Sequence, residues 1–190
     1  MPDKLFAINL LKKEGADERV IKHCIAVSKL AVEIACKISK KNKIDVDLNL
    51  VKIGGLLHDL GRSKTHGIAH GIVGAEILRN LIKDINLSPN DKIFIEKLAR
   101  ICERHIGAGI DKEEATILGI GEKDYLPETI EEKIIAHADN LIAQDKVAGI
   151  EQTIENFERK LGKNHKAVKR IVELNNYINS LLKYSIGLNK

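Results

Sequence analysis

The stretch "GGLLHDLGRSKTHGIAH", Gly54–His70, gathers three of the chain's seven histidines directly behind an apolar run. Its first half reads as the buried end of a helix, with Val51 and Gly55 two turns and one turn before His58. The glycine at 61 marks the expected helix stop. The second half is a short basic loop that hands over to a new helix at His70. A histidine and an aspartate side by side at the end of an apolar helix raise one question. Either they are satisfied core residues, or other polar residues reach the same point from elsewhere.

Reading outward, helical spacing recurs along the chain and no segment carries a run of strand-like alternation. A short helix is expected over Lys4–Lys13, stopped at Gly15. Asp17 caps a long one to about Lys40, and Asp47 opens the one that ends at Gly61. A helix runs from about His70 to Lys83. Ser88-Pro89 starts another that lasts to about His105, a cap residue followed by proline in the first turn. After the glycine-rich "HIGAGI", Asp111 and Glu114 form a capping-box start. "GEKDYLP" is a loop, and Glu128 to about Gln144 is helical. Helices near Ile150–Lys160 and His165–Tyr184 close the chain. With 190 residues and no repeat, low-complexity tract or long linker, the expectation is one all-α domain. It has seven to nine helices, a core over about 17–145 and a C-terminal helical extension over about 150–186.

Composition narrows the class. The chain is 44% hydrophobic and 31% charged, and its net charge of +4 is mild. Lysines alternate with acids, which is a solvated surface rather than a nucleic-acid stripe, so no nucleic-acid partner is expected. Three Phe, three Tyr and no Trp leave the core to Ile, Leu, Val and Ala. Cys24, Cys36 and Cys102 are widely spaced, with no CxxC pair for a zinc ribbon or disulfide framework. No apolar run reaches membrane-spanning length and no signal-peptide core opens the chain; the expected setting is cytoplasmic.

Six polar residues sit on apolar stripes. His23 lies between Val20 and Val27, His58 behind Val51 and Gly55, and His70 ahead of Val73, Gly74 and Ile77. His105 follows Leu98 and Ile101, Asp139 lies between Ile135 and Ile142, and Asp59 accompanies His58. One such histidine is usually a core residue bonded to the backbone. A buried unpaired carboxylate costs several kcal/mol, so Asp139 needs a partner. A divalent cation accounts for all six together, because it offsets carboxylate burial and takes neutral imidazole nitrogens as ligands. His137 and His165 have no comparable setting and fall outside the set.

The pattern resembles a known family. His23, the His58–Asp59 doublet and Asp139 match the H…HD…D signature of the HD-domain metal-dependent phosphohydrolases, and "HDLG" resembles the HDIG form of the doublet. His70 in "HGIVGAEIL" and His105 in "CERHIGAG" match the two extra histidines of the two-metal subset. The whole chain is most similar to a small archaeal HDIG-type family. The resemblance implies one or two divalent ions, with Asp59 as the carboxylate shared between them and His70 and His105 completing the second site. A thiolate-free imidazole and carboxylate set suits Mn, Fe, Co, Ni, Zn or Mg. It also implies attack by metal-activated water on a phosphoester or phosphoanhydride of a nucleotide-like small molecule, without a covalent enzyme intermediate. The expected catalytic residues are Asp59 and Arg62, and the expected substrate contacts are Arg62, Lys64 and His66. For Arg62 and His66 a solvated loop position stands as the alternative. The rival function is a non-enzymatic metal- and nucleotide-binding regulatory module.

Two smaller readings complete the set. Gly54 and Gly55, costly inside a helix, imply close helix packing or space beside the metal. The stripe of Val168, Ile171, Val172, Ile178, Leu181 and Leu182 on the last helix packs on the domain's own core or forms a homodimer interface.

Overall fold

Capping chemistry sets most of the helix starts. In the computed structural model, which describes residues 2–83 and 87–183, Asp3 caps α1 (Lys4–Glu14) and Gly15, at φ +90°, ends it. Asp17 accepts from the backbone N–H groups of Arg19 and Val20 at the start of α2 (Glu18–Asn42). Asp47 caps α3 (Leu48–Leu57) through the Leu50 N–H. Ser88 with Pro89 opens α5 (Pro89–Arg104) after α4 (His70–Ile82). Reciprocal capping boxes, Asp111 with Glu114 and Thr129 with Glu132, open α6 (Lys112–Ile117) and α7 (Ile130–Asn140). The chain finishes with α8 (Ile150–Leu161) and α9 (Lys166–Lys183). The fold is all-α, with nine α-helices among the described residues. The expected last residue of the final helix, Tyr184, lies outside them.

Three expected boundaries move, each for a local reason. The helix expected to reach Gly61 stops at Leu57, and Leu60–Ser63 tightens into a 3-10 turn. The tightening lets α4 come in close. A Cβ at Gly61 would sit 1.9 Å from the His70 carbonyl oxygen and 2.6 Å from the Gly74 nitrogen. The helix expected over Glu128–Gln144 starts only at Ile130, because the Glu132 carboxylate folds back onto the N–H groups of Glu128 and Thr129. It ends at Asn140, where Ile142–Ala143 (β1) pairs antiparallel with Lys146–Val147 (β2). Gln144 at the turn adopts φ +60°, a region that few residues other than glycine enter.

α3 lies at the centre, packed against α1, α2, α5 and α7, while α4 runs along α5 and α2 along α7. Of its ten residues, Leu50, Val51, Ile53, Gly54, Gly55, Leu56 and Leu57 are all buried. A fully buried Leu or Ile stabilises by roughly 1.5–3 kcal/mol over an exposed one, so this helix is the fold's main apolar anchor. One hydrophobic cluster extends from Ala7 on α1 to Ile178 on α9. Ile171, Leu174 and Ile178 belong to it, so the last helix shares the core of the rest. No helix of the described residues is long and apolar enough to cross a membrane.

Candidate metal centre

The six stripe residues converge. His23 comes from α2, His58 and Asp59 from the end of α3, His70 from the first turn of α4, His105 from the end of α5 and Asp139 from the last turn of α7. Small residues allow the approach: a Cβ at Gly71 would lie 2.6 Å from the Cys102 carbonyl oxygen. α4 therefore sits tight on α5, and the His70 and His105 Nε2 atoms come within 3.2 Å. Three overlapping sets have donor atoms all within 4.8 Å of one another: His23, His58 and Asp59; His58, His105 and Asp139; Asp59, His70 and His105.

Hydrogen bonding fixes which ring nitrogens face the centre. Nδ1 of His23 donates to the Gln144 carbonyl at 2.7 Å, and Nδ1 of His58 to that of Gly55 at 2.9 Å. His70 donates to the Gly67 carbonyl at 2.8 Å and His105 to that of Cys102 at 2.7 Å. A carbonyl only accepts, so each Nδ1 carries a proton and each ring turns its Nε2 inward, where the neutral form offers a lone pair. Four Nε2 atoms and two carboxylates then point at one small volume. The two Asp59 oxygens divide between the pairs: Oδ1 lies 3.1 Å from His70 and 3.4 Å from His105. Oδ2 lies 3.7 Å from His23 and 3.8 Å from His58. Asp139 Oδ1 is 2.9 Å from His23 and 3.4 Å from His58.

Such a cluster repels itself unless protons or cations occupy it. Burial pushes the Asp59 carboxyl up, but His58, His105 and His70 outweigh it and hold it well below the usual range. Asp139 is likewise raised by burial and held far lower by His23 and His58. Burial pushes His58 down, yet Asp59 and Asp139 lift it to about 9. Burial dominates at His105, whose pKa falls despite Asp59. The fit to a divalent cation rests on the buried atoms left over. His58 Nε2 and Asp59 Oδ1 are fully covered and have no hydrogen-bond partner among the described residues. Buried polar atoms are normally paired, and a metal ion is the partner this donor chemistry suits.

The expected substrate residues separate. Arg62 Nε donates to Asp59 Oδ2 at 2.6 Å, orienting that carboxylate while the guanidinium lines two cavities beside the centre. His66 lines both as well. Lys64 turns away: its Nζ pairs with the Glu14 carboxylate at 3.1 Å and the Glu14 carbonyl at 2.9 Å, and it lines neither cavity. In "HIGAGI", Gly107 at φ +60° lines the first cavity, whereas the Gly109 N–H is consumed by the Ile106 carbonyl. His137 is buried with Nδ1 lacking a partner among the described residues, and burial lowers its pKa to about 4; it lines neither cavity. His165 stands near Glu114. Gly54 packs on the tips of Ile101 and Ile135, and Gly55 on the Ser28 backbone, so both serve helix packing.

Several participants were not read from the sequence. The first cavity, about 500 Å³, is also lined by Thr153, Phe157, Lys160 and Leu161 of α8. The second, about 650 Å³, includes Arg19, Lys22, Gln144 and Asp145. The spacing 153, 157, 160–161 on one helical face was the available signal for α8. A main-chain acceptor such as Gln144 leaves none.

Fold and centre together define an all-helical domain with a buried histidine–aspartate cluster that could hold a metal ion. The HD-domain family profile matches residues 20–144, and the chain belongs to the HD-domain family, the phosphohydrolase class its signature resembles. An uncharacterised protein of Methanocaldococcus jannaschii is 56% identical over 177 residues, 93% of this chain and 97% of that protein. A tRNA (cytidine(56)-2'-O)-methyltransferase of Picrophilus torridus is 42% identical over 181 residues, 95% of this chain but 48% of that protein. The chain thus spans about half of that relative. A ribonuclease Y of Protochlamydia amoebophila is 27% identical over 161 residues, 83% of this chain and 25% of that protein. No solved structure matches the chain.

Proposed function

We propose that the chain is a metal-dependent phosphohydrolase that cleaves a phosphoester or phosphoanhydride of a nucleotide-like small molecule. The observation that carries this is the set of four imidazoles locked with Nε2 inward around two carboxylates, beside a cavity that also presents Arg62 and His66. His23, His58, Asp59 and Asp139 would hold one divalent ion, and Asp59, His70 and His105 a second. Mn, Fe, Co, Ni, Zn or Mg suits these donors. Bound there, the cations supply Lewis acidity and a water of lowered pKa. The division of the two Asp59 oxygens between the histidine pairs supports the shared role of that carboxylate. Arg62 does two jobs from one position: its Nε fixes Asp59, and its remaining N–H groups face the phosphate.

The test is phosphate release from a panel of nucleotides with Mn, Co, Ni or Mg added singly. Turnover with at least one metal, lost in Asp59→Asn, is the expected result. Tight nucleotide binding without turnover under every metal would favour the regulatory module instead. A second reading has its own support: relatives bearing tRNA-methyltransferase and ribonuclease names favour an RNA phosphodiester. A short RNA oligonucleotide in the same panel decides it, since cleavage of the strand with mononucleotides left intact replaces the small-molecule reading.

A further inference from the structure

Part of the cavity wall comes from a helix beyond the residues that define the family. α8 follows the matched span, 20–144, and turns Thr153, Phe157, Lys160 and Leu161 toward the site. Its seat is specific. The Thr153 hydroxyl donates to the Asn140 carbonyl at 2.7 Å, tying α8 to the end of the helix that carries Asp139. Phe157 lies over the turn after His105, where a Cβ at Gly107 would come within 3.1 Å of its Cζ. A side chain at Gly107 would press the ring back by a few tenths of an ångström. Phe157 is half-buried and, histidines aside, is the one aromatic residue among the described residues lining either cavity beside the centre. Lys160, almost one turn on, is exposed and makes no ion pair among the described residues. A planar apolar face and a free cation, in the same cavity as Arg62 and His66, match a ligand with an aromatic ring at one end and phosphate at the other.

Resting on the reading of the centre as a nucleotide phosphohydrolase, we propose that α8 is its specificity wall. Phe157 stacks on the base of a nucleotide whose phosphate lies at the histidine–aspartate centre, and Lys160 pairs with that phosphate. The ligand class is a nucleoside 5′-phosphate, selected over base-free phosphoesters.

The chain contains no tryptophan, so Phe157→Trp introduces a single fluorescent reporter that keeps an aromatic ring. The 190-residue protein loaded with Mn is titrated with a non-hydrolysable adenosine 5′-phosphonate and, separately, with inorganic phosphate. The expected result is quenching of the introduced indole in the Phe157→Trp protein by the adenosine ligand and not by phosphate. Phe157→Leu, which keeps apolar volume, binds the adenosine ligand roughly five- to hundredfold more weakly, the range of one lost stacking contact. Its phosphate affinity stays at the wild-type level, as does its melting temperature within a few degrees. Lys160→Gln weakens both ligands. Equal adenosine binding by Phe157→Leu and wild type, no binding by wild type, or parallel loss of phosphate binding overturns the proposal. Turnover by wild type is measured beside these titrations. Hydrolysis of AMP and glycerol phosphate alike, with Phe157→Leu neutral, leaves the enzyme reading standing and removes the wall. Stacking with no hydrolysis of any ester leaves the wall standing and removes the enzyme reading.

Discussion

Asp59 serves two pairs of imidazoles with two oxygens, and that division makes substitutions at the centre separable. His70→Ala or His105→Ala should lower bound metal from about two ions per chain towards one, since His23, His58 and Asp139 remain. Asp59→Asn should lower both, because the shared charge that holds two cations together is gone. Elemental analysis per folded chain, beside a thermal melt, checks this; unchanged metal in both histidine variants would refute the second site. Protonation gives a second expectation. Without metal, His58 holds its proton up to about 9, from an ordinary 6.5. A raised folded-state pKa stabilises the metal-free chain fully below 6.5, and that stability fades as pH rises through about 9. Metal affinity runs the other way, because the ion must displace the proton. Affinity should rise about tenfold per pH unit across the same window for one displaced proton, read by competition with a chelator. A flat profile would mean His58 does not give up a proton on binding.

Elements differ in how far the sequence announces them. Cap residues with side-chain oxygens, Asp17, Asp47, Ser88 and Asp111, mark helix starts that the structure reproduces. The stripe positions of the six converging residues were legible for the same reason: 3.6-residue spacing reports a helix face whatever it packs against. The end of α3 at Leu57 was not, because the 3-10 turn after it packs Gly61 against the backbone of another helix, which leaves no local mark. The hairpin after α7 was hidden too, being two residues per strand around a non-glycine at positive φ. α8 was legible as a helix but not as a wall, since its partner is a turn far upstream in the chain. Packing at α3 yields a contrast between neighbours. At Gly55 a methyl group would lie 2.7 Å from the Ser28 Cα, whereas at Gly54 it would meet only side-chain methyls of Ile101 and Ile135. Backbone cannot yield as a side-chain tip can. Gly55→Ala should therefore cost about 1–3 kcal/mol through forced separation of α2 and α3. At Gly54 the gain of roughly 1 kcal/mol in helix propensity offsets much of the strain. Urea denaturation of the two variants compares them, and equal midpoints would count against the packing account.

At the scale of the whole molecule, the last helix is part of the interior. Ile171 and Ile178 are fully buried and Leu174 nearly so, while Arg170 binds Asp111, Glu114 and the Gly109 carbonyl. A chain ended at Gly162 should lose cooperative folding rather than yield a smaller folded species, as circular dichroism and sedimentation would show; a well-folded truncated monomer would contradict it. The same helix leaves Val172 and Tyr177 partly exposed, a modest apolar area beside its buried face. The four acceptors that aim the histidines carry a different consequence. They are carbonyls of Gly55, Gly67, Cys102 and Gln144, and every amino acid supplies that group. Saturation mutagenesis scored for metal retention should thus show a gap: tolerance at the acceptor position 67, and intolerance at Gly61 and Gly71, whose own hydrogens make room for the backbone of α4 and of Cys102. The aim of this centre is written in the path of the main chain, and its mutational footprint extends beyond the donor side chains to the glycines beside them.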